Sequence, residues 1–291
     1  MPIIELNGIK INYRDEGEGD PLVLIHNLTS NIKGFDRNIP EFARRYRTVA
    51  ADLRGHGETT HEEDPVRAVD FYTFDKLVDD QLALLDHLGI ERFHLFGQAY
   101  WGANTALHLF HRVPDRVRSV ALSSTSMIIS DAERKPYDVL GKEGRDNFLR
   151  MHRIARTEGM MGVYNDRLTS GQFWGPKVIS SPEILSAFIE AHERTSPTAF
   201  VTIPALTADR RNDIAATLRE TTVPLMLLLG EDEKLTNRAF FIEEMRADYP
   251  ATHVMIIPDA GHYPTIENPY DFNRALIDFF AGVERDVRVL G

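Results

Sequence analysis

The chain has 291 residues, 43% of them hydrophobic and 26% charged, a composition that buries a sizeable core and excludes disordered and fibrous classes; the length allows two domains of about 150 residues or one α/β domain with an insertion. It contains no cysteine, which removes thiol nucleophiles, thiolate metal sites, iron–sulfur clusters and disulfides together, so covalent chemistry falls to another side chain. With 33 Lys+Arg against 44 Asp+Glu the net charge is −11, and no basic patch offsets the repulsion of a phosphate backbone, so no nucleic-acid partner is expected.

The opening residues, Met1-Pro2-Ile3-Ile4-Glu5, lack a basic segment followed by an apolar run, and no apolar stretch approaches the ~18 residues of a membrane span. A soluble, cytoplasmic chain with no membrane partner is the expectation. Residues 9–13 follow an Asn7-Gly8 turn and read as the second strand of a hairpin. Residues 21–26 form a continuous apolar run, as in a strand buried on both faces, and 47–53 form the next strand. Over 74–88 the apolar residues Phe74, Leu77, Val78, Leu82, Leu85 and Leu88 recur at helical spacing, with Gly89 as a stop. A strand at 92–96, a helix at 102–111 and a strand at 117–122 complete a βαβ rhythm, which predicts a mostly parallel sheet.

That rhythm breaks between about 126 and 221, where Met127, Tyr137, Phe148, Met151, Met160, Met161, Tyr164, Phe173, Trp174, Phe188 and Phe200 sit in mainly helical patterns. It resumes with a strand at 223–229, a helix at 237–249, a strand at 253–257 and a helix at 269–280. An interruption this long exceeds a plain loop. The expected organisation is therefore an α/β core, residues 1–125 and 222–291, carrying a helical lid at 126–221. The tail after Gly282 carries no clear pattern.

Four segments fall at the ends of predicted strands, where open α/β sheets bind ligands. They are His26-Asn27-Leu28-Thr29, Asp52-Leu53-Arg54-Gly55-His56-Gly57-Glu58, Gly97-Gln98-Ala99-Tyr100-Trp101-Gly102, and Gly230-Glu231-Asp232-Glu233 together with Asp259-Ala260-Gly261-His262. A histidine following a strand in a glycine-bearing loop, with an acidic residue on another loop, makes a base and its orienting carboxylate. On these segments the chain resembles the α/β-hydrolase family along about residues 3–281. That resemblance implies a twisted, mostly parallel sheet flanked by helices with an inserted helical lid. It implies His262 as the catalytic histidine, and Glu233, three residues after the strand-ending glycine, as the acid, with Asp232 as the alternative. It also implies the backbone N–H groups of Leu28 and Tyr100 as oxyanion donors.

The turn between the strand at 92–96 and its helix departs from the family pattern. A G-x-S-x-G elbow holds a serine on a sharp strand-to-helix turn. Here Gly97 places Ala99 in the nucleophile slot, whereas counting back from Gly102 and Ala103 places Tyr100 there. Neither register supplies a serine, and Trp101 occupies a position where the family usually has glycine. Loss of the nucleophile alone costs on the order of 10⁶ in turnover, so the chain as written is expected to be nearly inactive as a serine hydrolase. Two accounts follow. Ala99 replaces the serine of an active enzyme, which is the leading account, or the protein lacks the serine naturally.

Other residues have simpler readings. Tyr100 as a nucleophile would need an activated phenol; lining the pocket is the preferred role. Asn27 stands where most members have glycine, and asparagine tolerates a left-handed backbone. His26 reads as a loop-holding hydrogen bonder. Ser123, Ser124 and Ser126 read as pocket wall. His56, His61, Glu62, Glu63 and Asp64 match no metal-ligand spacing, and Gly55-His56-Gly57 lacks a P-loop lysine, so neither metal nor cofactor is called for.

Asn27, Trp101, Ser124, Met127, Trp174 and Tyr263 are the expected pocket residues, and a wall built from the Met and aromatic residues of the lid, with few polar groups, suits a small hydrophobic or aromatic substrate with a carbonyl group. Arg194-Thr195-Ser196-Pro197 resembles lid segments of enol-lactonases and C–C bond hydrolases. The leading expectation is a cofactor-independent hydrolase of an ester, a lactone or a C–C bond next to a carbonyl. The alternatives are a lyase or cofactor-free oxygenase working through His262, and a non-enzymatic binder of a small ligand. A homo-oligomer is allowed by the sequence.

Overall fold

The computed structural model describes residues 1–125, 141–170, 174–205, 211–233 and 238–290. Among the described residues eight strands are formed: β1 (Ile3–Leu6), β2 (Ile9–Glu16), β3 (Asp20–Ile25), β4 (Tyr46–Ala51), β5 (Phe93–Gln98), β6 (Val117–Ser123), β7 (Leu225–Gly230) and β8 (His253–Ile257). They make one sheet in the order β1-β2-β4-β3-β5-β6-β7-β8. The first two strands run antiparallel to their neighbours, and all pairs from β4 through β8 are parallel. This is the mostly parallel α/β sheet that the sequence pattern predicts.

The continuous apolar strands sort onto two faces by the period of two inherent to a strand. Val23, Ile25, Leu95, Val120 and Leu227 pack beneath the helices Phe74–His87 and Ala99–Arg112. Leu22, Leu24, Phe96, Ala121 and Leu228 pack against Ile39, Phe42, Phe272, Leu276 and Phe280 on the opposite face. Covering both faces is what permits the central strands to be apolar throughout. Helix Phe74–His87 begins where the Thr73 side chain accepts the Lys76 N–H, an N-cap that satisfies one otherwise orphaned donor.

Sequence patterning alone left two short helices unassigned, Ile39–Phe42 and Pro65–Phe71, because each is too short for a periodic signal. It also stopped the final helix too early. Pro269–Leu290 is continuous, running past Gly282 because the flanking residues remain helix-compatible and one interior glycine costs only about 1 kcal/mol.

Between β6 and β7 the described residues are helical: Gly141–Ser170, bent at Gly159, then Pro176–Ser180, Pro182–Glu193, Pro197–Ala205 and Arg211–Glu220. Their apolar residues Met151, Val163, Tyr164, Trp174, Phe188 and Phe200 are buried in the same core that underlies the sheet. Several bonds fasten these helices to the loops below. The Gly57 N–H donates to the Arg194 carbonyl and the Ser196 N–H to the Gly55 carbonyl, both at 2.8 Å, while Lys33 pairs with Glu190 at 2.6 Å. Helix Arg211–Glu220 instead docks on the core, with His111 Nδ1 2.6 Å from Thr217 Oγ1. Among the described residues no helix is long and apolar enough to cross a membrane.

Candidate active site

Parallel pairing brings the strand ends level. Gln98 pairs with Ser123, Ser123 with Leu228, and Gly230 with Ile257, so the segments following β5, β6, β7 and β8 open onto one edge of the sheet. The segment after β3 joins them there through the pairing of Ile25 with Gly97.

At the end of β5 the chain turns directly into helix Ala99–Arg112. Ala99 is fully buried and holds φ at +51°, the left-handed region that costs a non-glycine residue roughly 1–2 kcal/mol. Tyr100, the other residue left open by the sequence, has no such backbone. Close packing allows the turn. A Cβ on Gly97 would lie 2.7 Å from the Ala103 Cα, and one on Gly102 would lie 2.7 Å from the carbonyl oxygens of Ile25 and His26. Gly102 therefore supplies the close strand–helix approach, and Trp101 is accommodated as a buried side chain set edge-on to the Tyr100 ring at 4.5 Å. The Tyr100 amide belongs to the first helical turn, whose N–H groups have no acceptor within the helix.

The loop after β3 is fixed by its neighbours. His26 Nδ1 lies 2.7 Å from the Asn27 carbonyl and its Nε2 accepts the Leu53 N–H at 2.9 Å. Burial lowers its pKa to about 4, so a neutral ring donates at Nδ1 and accepts at Nε2. The buried His56 places Nε2 2.5 Å from the Leu28 carbonyl. Asp52 accepts hydrogen bonds from Asn12 Nδ2, the Ile32 N–H and the Glu58 N–H at 2.6, 2.8 and 3.0 Å, joining β2 to both loops. Asn27 keeps a negative φ, so its tolerance of left-handed backbone is not called on; its buried Oδ1 has no hydrogen-bond partner among the described residues.

His262 and Glu233 meet. Nδ1 of the imidazole is 2.8 Å from Glu233 Oε2, with the carboxylate side chain fully buried. Asp232 is exposed and uses its backbone N–H to bond the Ala260 carbonyl. With Nδ1 committed to the carboxylate, Nε2 is the nitrogen left for proton transfer. The loop carrying His262 is clamped by Glu267, whose two oxygens accept the Gly261 N–H at 3.0 Å and the Tyr263 N–H at 2.9 Å. A further bond ties this loop to the elbow, with Gln98 Nε2 donating to Thr265 Oγ1 at 2.6 Å. Nothing in the sequence marks Glu267 beyond its being a carboxylate shortly after the histidine.

Of the expected pocket residues, Asn27, Trp101, Ser124, Trp174 and Tyr263 are all buried, and Met127 lies outside the described residues. Ser124 follows β6 with φ at +46°, and the buried hydroxyls of Ser123 and Ser124 have no hydrogen-bond partner among the described residues. Trp174 stacks on Phe188 at 5.0 Å, and Phe188 meets Tyr263 edge-on at 4.9 Å, so the helical insertion reaches the residue beside His262. Sequence reading missed Arg167, a buried arginine on the insertion whose Nη1 donates to Thr29 at 2.8 Å. Nothing in the spacing of its helix marks it. Among the described residues no three His, Asp or Glu side chains converge as metal ligands.

A family model described as alpha/beta hydrolase fold matches residues 20–269. Over 286 residues the chain is 25% identical to 2-(acetamidomethylene)succinate hydrolase of Mesorhizobium japonicum, covering 95% of this chain and 93% of that protein. It is 23% identical to 3-oxoadipate enol-lactonase 2 of Acinetobacter baylyi, covering 92% of each. Among solved structures, the enol-lactonase of Burkholderia xenovorans superposes with a TM-score of 0.77 at 24% identity, over 96% of this chain and all of that one. An esterase of Thermogutta terrifontis gives a TM-score of 0.78 at 22% identity over 97% of each chain.

Proposed function

The chain belongs to the alpha/beta hydrolase fold family, and from that premise we propose that its site is that of a cofactor-independent hydrolase of a small hydrophobic or aromatic substrate, cleaving an ester, a lactone or a C–C bond next to a carbonyl. The observation that carries the reading is the left-handed backbone of Ala99 at the strand–helix turn. Alanine gains nothing from that conformation, whereas a serine there presents its hydroxyl at the sheet edge shared with His262. Relatives named as a 3-oxoadipate enol-lactonase and as a 2-(acetamidomethylene)succinate hydrolase support a hydrolytic reading.

With serine at position 99, His262 Nε2 takes the hydroxyl proton as oxygen attacks the carbonyl carbon, and Glu233 stabilises the imidazolium through Nδ1. The amides of Leu28 and Tyr100 receive the developing oxyanion, each contributing about 3 kcal/mol to the transition state. The imidazolium then protonates the leaving group, and water repeats the sequence on the acyl-enzyme. The present chain has a methyl group where the attacking oxygen belongs, so it binds substrate without forming the acyl-enzyme.

Ala99→Ser tests this directly. On aryl esters and lactones it is expected to raise turnover by 10³-fold or more, against a full nucleophile effect of about 10⁶, and to show an acyl-enzyme mass shift absent from Tyr100→Ser. Turnover by the unmodified chain that His262→Ala abolishes would sink the reading in favour of proton-abstraction chemistry.

A further inference from the structure

Ser123 of β6 pairs with Gln98 of β5, so the residues that follow them, Ser124 and Ala99, leave at the same level from strands about 5 Å apart. Both turn left-handed, with φ at +46° and +51°. The other non-glycine residues with positive φ among the described residues are Asn7 and Asp259. Those two are exposed in turns and are of types that tolerate this backbone. Ser124 is 1% exposed, and its N–H is held by the Leu228 carbonyl at 2.9 Å. It combines two costs at one residue: a disfavoured backbone, and a buried hydroxyl with no hydrogen-bond partner among the described residues. Strain and an unsatisfied donor together at a sheet edge mark a position kept for a ligand rather than for the fold.

The sheet order fixes which part of a substrate lies there. β5 is flanked by β3 on one side and by β6 on the other. The proposed oxyanion donor Leu28 follows β3, whereas Glu233 and His262 follow β7 and β8, beyond β6. A carbonyl group seated over position 99 with its oxygen toward Leu28 turns its leaving-group oxygen toward β6 and the histidine. Ser124 is the first residue after β6.

We propose that the Ser124 hydroxyl donates a hydrogen bond to the leaving-group oxygen, so that the site is built for esters and lactones of aliphatic alcohols. This rests on the hydrolase reading above and narrows its substrate class. With serine at position 99, the serine oxygen bonds to the carbonyl carbon, and the bond from that carbon to the leaving oxygen breaks. The proton taken from the serine passes from His262 Nε2 to the departing oxygen. Ser124 keeps its own proton and stabilises the charge that develops on that oxygen. An aliphatic alkoxide concentrates this charge on one atom, where a buried donor acts most strongly. A 4-nitrophenoxide spreads it over the ring and departs without such help.

The test compares ethyl butyrate with 4-nitrophenyl butyrate, which share an acyl group, in Ala99→Ser and in Ala99→Ser carrying Ser124→Ala or Ser124→Gly. Deacylation is common to both esters and does not enter kcat/KM. Each added substitution is expected to lower kcat/KM for ethyl butyrate at least about 10-fold more than for 4-nitrophenyl butyrate. Glycine also relieves the left-handed backbone, so Ser124→Gly is expected to have a higher urea midpoint than Ser124→Ala and than the Ala99→Ser parent, gaining stability while losing activity on the alkyl ester. Equal losses on the two esters would assign Ser124 a purely structural role and overturn the proposal, as would a Ser124→Gly midpoint below the parent's. An Ala99→Ser variant that cleaves the nitrophenyl ester but not the alkyl one would overturn it too, with the hydrolase reading left standing. If Ala99→Ser cleaves neither ester, the hydrolase reading fails and this assignment falls with it.

Discussion

Ala99 carries a backbone conformation that its own side chain disfavours. The motif around it leaves Ala99 and Tyr100 both open in the sequence, because a dihedral angle is set by how strand and helix meet and not by residue identity at one position. The close contacts of Gly97 and Gly102 force the turn there, and the strain falls on Ala99. Ala99→Gly should therefore stabilise the fold by roughly 0.5–1 kcal/mol, the left-handed cost relieved less the added unfolded-state entropy of glycine. The urea midpoint should rise with an unchanged slope; a lower midpoint would contradict strain at this residue.

Among the elements, the turn bearing His262 is shaped less by its own sequence than by Glu267, which sits in the short helix Pro264–Glu267 and satisfies the N–H groups on both sides of the histidine. The proposed base and acid were readable as a histidine after the last strand and a carboxylate after the one before it. The clamp was not, since one carboxylate serving two amides across a turn leaves no periodic trace. Glu267→Ala should cost about 2–3 kcal/mol in stability, because buried N–H groups lose a charged acceptor. In an Ala99→Ser background it should lower kcat more than it raises KM, since the imidazole loses its fixed orientation while the pocket walls remain. Steady-state kinetics and denaturation on the same preparation separate the two effects.

Across the whole molecule, burial places His26, His56 and His192 at about 4, 3 and 3, each wedged between the sheet-edge loops or against the insertion. Each is lowered from an unfolded value near 6.5, so between that value and the folded one the unfolded chain binds more protons. Stability is therefore fully present above about pH 7 and is lost as pH falls, by up to about 1.4 kcal/mol per pH unit for each such histidine. Urea unfolding at pH 7, 6 and 5 should show midpoints falling steadily; a flat profile over this range would mean that these rings are protonated in the folded chain.

The sequence by itself determined the class of the fold, because apolar runs alternating with helical periods leave a buried, mostly parallel sheet as the arrangement that covers every hydrophobic face. It also marked the strand ends where chemistry gathers, since glycines, histidines and acids fall at the close of each run, and it exposed the missing nucleophile, since no serine, cysteine or aspartate occupies either candidate slot. Only the tertiary structure decided between neighbours. It turned Glu233 toward His262 and left Asp232 in solvent, bent the backbone at Ala99 rather than Tyr100, and carried Arg167 from a distant helix to Thr29. Such choices depend on distances between residues far apart in the chain, which are fixed by packing around a shared core and have no counterpart in any local pattern.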